Sequence, residues 1–314
     1  MDFPTLKIGD LAPRYPIIQG GMAVRVSTAP LVSAVADAGG IGVIGATGMS
    51  AEELREEIRK ARSLTRGIIG VNIMFAIRNF AELAAAAFKE RIDVIFTGAG
   101  FSRDIFDWGR ECGIPVVSIV SSARLAKLAE KLGAAAVVAE SGDAGGHLGT
   151  ERTTAEILPE IREAVSIPVI AAGGIVDGRD IAEMVRLGAD GVQMGTRFVL
   201  SEECTVSDAF KQHYLQATAE DVILIKSPAG LPGRALKNAF TARMGQDLPK
   251  PEKCRKCLKV CTKEFCLIEA LENSQMGLLE QGLVFAGKNV YKIKDILPVR
   301  KIFERLIREF KACT

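Results

Sequence analysis

The strongest constraint in this sequence is a regular alternation between short apolar runs and longer stretches rich in Ala, Leu, Glu and Lys. Alternation of this kind is typical of βα units, in which helices cover a parallel sheet. The apolar runs predict strands at Pro16–Gln19, Gly42–Gly45, Ile68–Met74, Val94–Thr97, Pro115–Ile119, Ala135–Ala139, Pro168–Ala172 and Gly191–Met194. Their number and spacing predict an α/β protein built on a closed (β/α)8 TIM barrel, and a doubly wound open sheet is the alternative.

The segments between these runs predict helices, for example Ala51–Arg62, Arg124–Leu132 and Arg179–Leu187. The alternation stops after Leu200, which divides the prediction into three parts. Residues 1–200 form the barrel, and residues 201–289 form a helical lid over its mouth, here called the insert. Residues 290–314 return to the barrel, where the amphipathic stretch 293–310 is expected to form the last wall helix.

Composition excludes several classes of function. The chain has 314 residues, of which 48 % are hydrophobic, and its formal net charge is +2. A charge so close to zero gives no field that would recruit nucleic acid or a membrane surface. The first residues predict no secretory signal, and no stretch approaches the roughly 20 apolar residues of a membrane span. We therefore expect a cytoplasmic protein acting on a small molecule, with the oligomeric state open and a homo-oligomer included.

Glycines follow the last two predicted strands. Gly173 and Gly174 come after the seventh strand, and Gly195 and Thr196 come after the eighth. Loops at these positions of (β/α)8 barrels commonly bind phosphate. Glycine lets backbone N–H groups approach an anion closely, a following helix start adds a favourable dipole, and the Thr196 hydroxyl adds a donor. We therefore predict a phosphate site, against the alternative of ordinary tight turns.

Two other strand ends supply groups suited to a flat heterocycle. The first strand ends in Gln19, Gly20, Gly21 and Met22, whose main chain can hydrogen-bond a ring edge while Met22 covers its apolar part. The third strand ends near Asn72, whose amide offers both a donor and an acceptor. A loop-capping role is the alternative for Asn72.

A glycine-rich loop after the sixth strand carries the candidate catalytic residue. Glu140 closes that strand, and a run of glycines that includes Gly146 leads to His147. An imidazole titrates near neutral pH and can transfer a proton to or from a bound molecule. The alternative is a polar residue satisfied within the fold. The second histidine of the chain, His213, lies in a predicted helix, and we assign it a structural or surface role.

Four cysteines lie close together in the insert. Cys254, Cys257, Cys261 and Cys266 have the spacing C-x2-C-x3-C-x4-C. In a reducing compartment such a cluster predicts a metal site, and soft thiolates select an iron–sulfur cluster or zinc. Four thiols within one short segment favour iron–sulfur slightly over zinc, and four free thiols are the alternative.

Taken together, the motifs resemble the nitronate monooxygenase family, formerly called 2-nitropropane dioxygenases. That family also contains the flavin-dependent enoyl-ACP reductase II and related quinone reductases. The resemblance rests on PIIQGGM, GVNIM, GAG at residues 98–100, AGGHLG, IPVIAAGGIVDG and VQMGTRF, which occur in that order over residues 14–200. The C-terminal region departs from the family pattern, because FAGKNVY stands where a Gly-Gln-containing loop is common. Lys288 in that segment is either a cation facing the ligand or a surface lysine.

The resemblance implies an FMN-binding barrel and a flavin-dependent oxidoreductase. It implies that Gly20, Gly21, Met22 and Asn72 contact the flavin, that Gly173, Gly174, Gly195 and Thr196 hold its phosphate, and that His147 faces the substrate. We add Gln19, Glu140 and Gly146 to the candidate cofactor site because they stand at the same strand ends.

The resemblance favours oxidation of alkyl nitronates with O2, with NAD(P)H-dependent reduction of an enoyl thioester or a quinone as the alternative. We expect a nicotinamide to be a visiting substrate and not a cofactor held by a Rossmann domain. Two interpretations of other classes stay open. One is a phosphate-binding barrel isomerase or lyase without flavin, and the other is a non-catalytic redox or metal-binding module around the cysteines.

Overall fold

A computed structural model describes residues 2–100, 102–246, 248 and 254–313. It confirms the closed barrel, in which eight parallel strands pair in the order β1 (Ile17–Gln19), β2 (Ile41–Gly45), β3 (Ile69–Met74), β4 (Val94–Gly98), β5 (Val116–Val120), β6 (Ala136–Glu140), β8 (Val169–Ala172) and β9 (Gly191–Met194). The open-sheet alternative is wrong because β9 pairs back with β1, with Gln19 beside Met194. The two-residue strand β7 (Gly146–His147) lies outside the barrel.

The outer wall consists of helices that alternate with the strands. They are α1 (Ala29–Asp37), α2 (Ala51–Leu64), α3 (Phe80–Lys89), α4 (Asp104–Cys112), α5 (Ala123–Leu132), α6 (Thr154–Ala164) and α7 (Gly178–Arg186). Local chemistry explains their ends. The Ser50 side chain caps α2 by accepting from Glu53 N–H, and Gly113 and Gly133 end α4 and α5 in the left-handed conformation that glycine tolerates best.

The helix that completes the wall after β9 comes from the C-terminal part of the chain. The helix that follows β9 directly, α8 (Thr196–Val199), has four residues, and α12 (Val299–Lys311) packs against both α7 and α1. Helix α12 begins later than the amphipathic pattern suggested, because Pro298 disfavours a helical residue before it. Gly178 allows the close packing of α7, since a Cβ there would overlap the backbone oxygen of Leu306.

The insert contains α9 (Asp208–Gln216), β10 (Val222–Lys226), β11 (Pro232–Leu236), α10 (Ala239–Ala242) and α11 (Leu267–Gln275), with short 3-10 turns at Ala219–Asp221 and Leu279–Gln281. Strands β10 and β11 form an antiparallel hairpin that pairs with β7. The sequence interpretation described this part as helical and did not foresee the hairpin. Its division from the barrel at residues 200 and 289 stays a prediction.

One buried layer lies inside the barrel and a second lies outside its strands. The carboxyl end of the barrel stays open to a cavity. Inward side chains such as Ile18, Phe96 and Val138 fill the interior, together with Leu6 and Ile8 from the N-terminal segment. A larger apolar layer lies between the strands and the wall helices. In the described part of the chain, no helix is long and apolar enough to cross a membrane.

Candidate functional site

A cavity of about 850 Å³ opens at the carboxyl ends of the barrel strands. Its walls come from the ends of β1, β3, β6, β8 and β9, from the loop that carries β7, and from helices α9 and α11 of the insert. This volume lies within the range of small-molecule sites, and the position is the one where (β/α)8 barrels place their chemistry.

The turn after β1 approaches its neighbours so closely that side chains are excluded. A Cβ on Gly21 would overlap Cβ of Asn72, and a Cβ on Gly45 of β2 would overlap the carbonyl of Met22. The N–H of Gly20 donates to the carbonyl of Met194 at 3.0 Å, which ties this turn to β9. Glycine at positions 21 and 45 therefore lets main chain, not side chains, form this wall of the cavity.

Asn72 presents an unused acceptor in the same wall. Its Nδ2 donates to the carbonyl of Gly21 at 3.2 Å. Its Oδ1 is buried and has no hydrogen-bond partner among the described residues. Because an unsatisfied buried acceptor is costly, this oxygen is suited to a ring N–H of a bound ligand.

The predicted phosphate loops carry free donors. Gly173 and Gly174 have φ of +114° and +73°, which glycine adopts without strain. No acceptor in the described ranges takes the N–H of Gly173, Gly174 or Gly195. Thr196 Oγ1 accepts the N–H of Gly287 at 3.0 Å, so its own proton can be donated to a ligand. These groups line the cavity together.

The start of α7, which was expected to favour the phosphate, is already capped by side chains of the protein. The side chain of Asp177 already accepts from the N–H groups of Arg179 and Asp180, and Glu309 accepts from that of Gly178. The start of α7 is therefore satisfied by carboxylates of the protein, and the donors available to an anion are those of the loops.

His147 is held in the cavity wall by the hairpin. Its strand β7 pairs with β11, where His147 lies opposite Gly233. Its Nε2 lies 2.7 Å from Ser227 Oγ, and its ring meets Phe285 edge to face at 5.3 Å. Burial lowers the pKa of His147 to about 4, so the imidazole is neutral at pH 7. It can donate or accept a hydrogen bond, but it carries no charge.

Glu140 ends β6 and supplies the one carboxylate among the described residues that line the cavity. Burial raises the pKa of this carboxyl to about 7, and no ion pair within the described ranges offsets that effect. The group is therefore divided between its neutral and ionised forms near neutral pH. Charge on the cavity floor depends on pH in the working range of most enzymes.

Two of the predicted residues do not face the cavity. The buried side chain of Gln19 pairs with both backbone groups of Val43, with each distance 3.2 Å, and so joins β1 to β2. Lys288 forms an ion pair with Asp143 at 3.0 Å and is half exposed. His213, assigned no chemical role, also lies outside the cavity lining.

The four cysteines of the insert are not arranged as a metal site. In residues 2–100, 102–246, 248 and 254–313, no group of three or more His, Cys, Asp or Glu side chains is placed to hold a metal ion. Cys257 and Cys261 pack against the hydrophobic core, and Cys254 is exposed. A partly buried thiol packed in this way acts as a small apolar side chain. The prediction of an iron–sulfur cluster or zinc at Cys254, Cys257, Cys261 and Cys266 is therefore unsupported.

Sequence reasoning missed several cavity residues. Phe285 and Lys259 of the insert line the cavity, as does Gln193 of β9. Ser227 of the insert is not in the lining, but it hydrogen-bonds His147. The run Ser-Pro-Ala-Gly at 227–230 between two apolar segments is a hairpin signal that would have placed Ser227 in a turn. No local pattern indicates that this turn meets His147.

A closed parallel barrel with free loop amides, an unpaired buried amide oxygen and a neutral imidazole at its mouth defines a ligand-binding (β/α)8-barrel enzyme. Comparison with known proteins identifies its family. The model of the family described as nitronate monooxygenase matches residues 5–309. The chain belongs to the nitronate monooxygenase family, which is a family of oxidoreductases.

Individual relatives agree with this assignment. The structure of FabK from Thermotoga maritima superposes with a TM-score of 0.87 at 34 % identity, covering 96 % of this chain and 94 % of that chain. A probable nitronate monooxygenase of Staphylococcus aureus is 33 % identical over 287 residues, covering 76 % of this chain and 81 % of the relative. An octahydroindene-carboxyl-CoA dehydrogenase of Mycobacterium tuberculosis is 35 % identical over 233 residues, covering 73 % of this chain. That match spans 65 % of the dehydrogenase's own length.

Proposed function

We propose that this chain is an FMN-dependent oxidoreductase with activity of the nitronate monooxygenase type. The observation that carries the proposal is the distribution of unused groups in one cavity. Free N–H donors lie at the ends of β8 and β9, and the unpaired oxygen of Asn72 lies at the end of β3. A phosphorylated, planar heterocycle satisfies both sets at once.

The residues present fit FMN. The loop amides and the Thr196 hydroxyl would hold the phosphate, while the Gly20–Met22 turn and Asn72 would hold the ring edge. At Gly21 and at Gly173 an added Cβ would overlap Asn72 and Ser141 respectively, so the two walls are built from bare main chain. When bound, FMN supplies the electron-transfer chemistry, and the protein supplies position and electrostatics.

His147 is assigned the substrate side of this site. Ser227 Oγ accepts the N–H of Ala229 and can donate its own proton to His147 Nε2, which leaves the imidazole proton on Nδ1. A neutral imidazole with that proton can hydrogen-bond the oxygen of an anionic nitronate. Its low pKa means that it does so as a dipole and not as a cation.

A second candidate is NAD(P)H-dependent reduction of an enoyl thioester, and the apolar end of the cavity favours it. This end is lined by Phe210, Leu267, Ile268, Leu271 and Leu283 of the insert. The hydroxyl of Tyr214 donates a hydrogen bond to the carbonyl of Phe285, and the hydroxyl of Ser274 donates one to the carbonyl of Leu283. Such a wall suits a hydrocarbon chain, and the Mycobacterium tuberculosis relative is named for a carboxyl-CoA compound.

The test begins with the absorption spectrum of the purified protein and with FMN titrated into the apoprotein. We expect flavin bands and stoichiometric binding that Thr196→Val weakens about tenfold, the loss expected for one hydrogen bond to a charged group. Colourless protein that takes up no FMN would contradict the proposal.

The two reactions are then separated by steady-state assays. Oxygen uptake with an alkyl nitronate supports the first, and NAD(P)H oxidation with an enoyl thioester supports the second. His147→Ala is expected to keep its flavin and to lose about 10²–10⁴-fold in turnover. His213→Ala is the matched control, since His213 lies outside the cavity lining. Equal turnover of the two variants would remove His147 from the reaction.

A further inference from the structure

The cavity wall contains very few charges. Among the described residues that line it, Lys259 is the one lysine or arginine, Glu140 the one carboxylate and His147 the one histidine. His147 is neutral at pH 7, so Lys259 is the one full positive charge that a ligand entering the cavity meets there. An anionic group of such a ligand has no other cationic side chain in this lining.

Main-chain bonds hold Lys259 at the rim of the cavity. Its N–H donates to the carbonyl of Ala76 at 2.8 Å, and Leu258 forms a β-bridge with Ile77. The side chain of Arg78 donates to the carbonyl of Leu258 at 2.9 Å. The insert is thus fastened onto the loop after β3, several strands away from the phosphate loops at β8 and β9. Lys259 therefore does not belong to the flavin-phosphate site.

Two aromatic rings position the ammonium group. Nζ lies 3.4 Å from the centre of the Phe75 ring and 5.6 Å from that of Phe80, and the two rings meet edge to face. Within the described ranges no carboxylate forms an ion pair with Lys259. A lysine ammonium has three N–H donors, and those that do not face the ring stay available to a partner. Partial burial lowers the pKa of Lys259, as expected for a charge without an anionic neighbour.

We propose that Lys259 binds the phosphate or carboxylate group of the molecule that reaches the flavin from solvent, and so selects anionic ligands at the cavity mouth. This inference rests on the proposed function. Either the organic substrate or the reduced nicotinamide donor carries such a group, and separate measurements on each distinguish the two sources. A lysine that merely rests on Phe75 would give the same geometry without affecting any ligand.

The test compares wild type, Lys259→Met, Lys259→Arg and Lys263→Met. Methionine keeps the apolar contact with Phe75 and removes the charge, arginine keeps the charge, and Lys263 is an exposed lysine of the same segment outside the lining. Coenzyme A and NADP⁺ are titrated calorimetrically at two salt concentrations, after the FMN content of each protein has been measured. KM values for NADPH and for an enoyl thioester are determined separately.

Lys259→Met is expected to bind one of the two probes about tenfold more weakly, with a smaller dependence on salt, and to show a higher KM for the matching reactant. Lys259→Arg and Lys263→Met should behave as wild type. The proposal is overturned if wild type binds neither probe, or if Lys259→Met binds both as wild type does. If Lys259→Met has normal FMN content and unchanged probe binding, the Lys259 proposal fails but the proposed flavin function does not. If the wild type contains no FMN, the flavin function is refuted, and probe binding still tests the role of Lys259.

Discussion

Replacing Glu140 by Gln tests the electrostatics of the site directly. The carboxyl faces the cavity at the end of β6, and burial raises its pKa from 4.5 to about 7. A rise of that size corresponds to about 3 kcal/mol against the ionised form. Water in the cavity screens part of it, so we expect about 2 kcal/mol in practice. Glutamine has nearly the same shape and does not titrate, so Glu140→Gln removes only the free-energy cost of ionising this carboxyl.

The sign follows from proton binding. Between pH 4.5 and about 7 the folded state holds the Glu140 proton more tightly than the unfolded state does. The contribution of Glu140 to the free energy of unfolding is therefore complete below pH 4.5 and is lost as the pH rises through 7. His147 acts in the opposite direction, because its pKa of about 4 in the folded state is below its usual 6.5. Comparing variant and wild type at the same pH cancels the His147 contribution.

The assay is urea unfolding of the FMN-free protein at several pH values from 5 to 8. The free energy of unfolding of Glu140→Gln minus that of wild type should increase by about 2 kcal/mol as the pH rises across this range. Glu111→Gln, on an exposed residue of α4, is the control and should show no such trend. A difference between Glu140→Gln and wild type that stays constant with pH would refute the raised pKa and its cause.

Three further outcomes follow from the geometry. Gly21→Ala would force its methyl group into Asn72, so we expect a loss of roughly 1–3 kcal/mol in stability and a lower FMN content. An unchanged melting temperature and unchanged flavin absorbance would contradict this expectation. Ser227→Ala removes the partner of His147 Nε2 and should lower turnover by about tenfold with FMN content unchanged, which steady-state kinetics and the flavin spectrum measure together. Serine at Cys257 and Cys261 should leave the metal content measured by mass spectrometry unchanged, and stoichiometric iron or zinc that disappears in this variant would restore the metal hypothesis.

Much of the barrel could be predicted because its signals are local. Each strand is a short apolar run next to a helix whose apolar face repeats every three to four residues. A glycine ends some of these units, as after α4 and α5. The glycines at 173, 174 and 195 likewise stand at recognisable strand ends, and the structure places all three in the cavity lining. At Gly173 and Gly174 the backbone has the positive φ that glycine tolerates best.

The rest of the site depends on contacts between segments that are distant in the chain. His147 meets Ser227 across 80 residues of sequence, and Lys259 reaches Phe75 through a bridge between the insert and the loop after β3. Gln19 shows the converse case, since its side chain bonds the backbone of β2 although its position in the sequence suggested a ligand contact.

The amino-acid sequence by itself therefore determined the barrel, its open carboxyl end and the bare main chain at its rim, because periodicity and glycine conformations act over a few residues. Only the tertiary structure decided which side chains face the cavity. It gave His147 a neutral imidazole and Glu140 a pKa near 7, and within the described ranges it left the cysteines without the arrangement of a metal site. Burial and the direction of a side chain are set by how remote segments pack, and spacing along the chain carries no record of that packing.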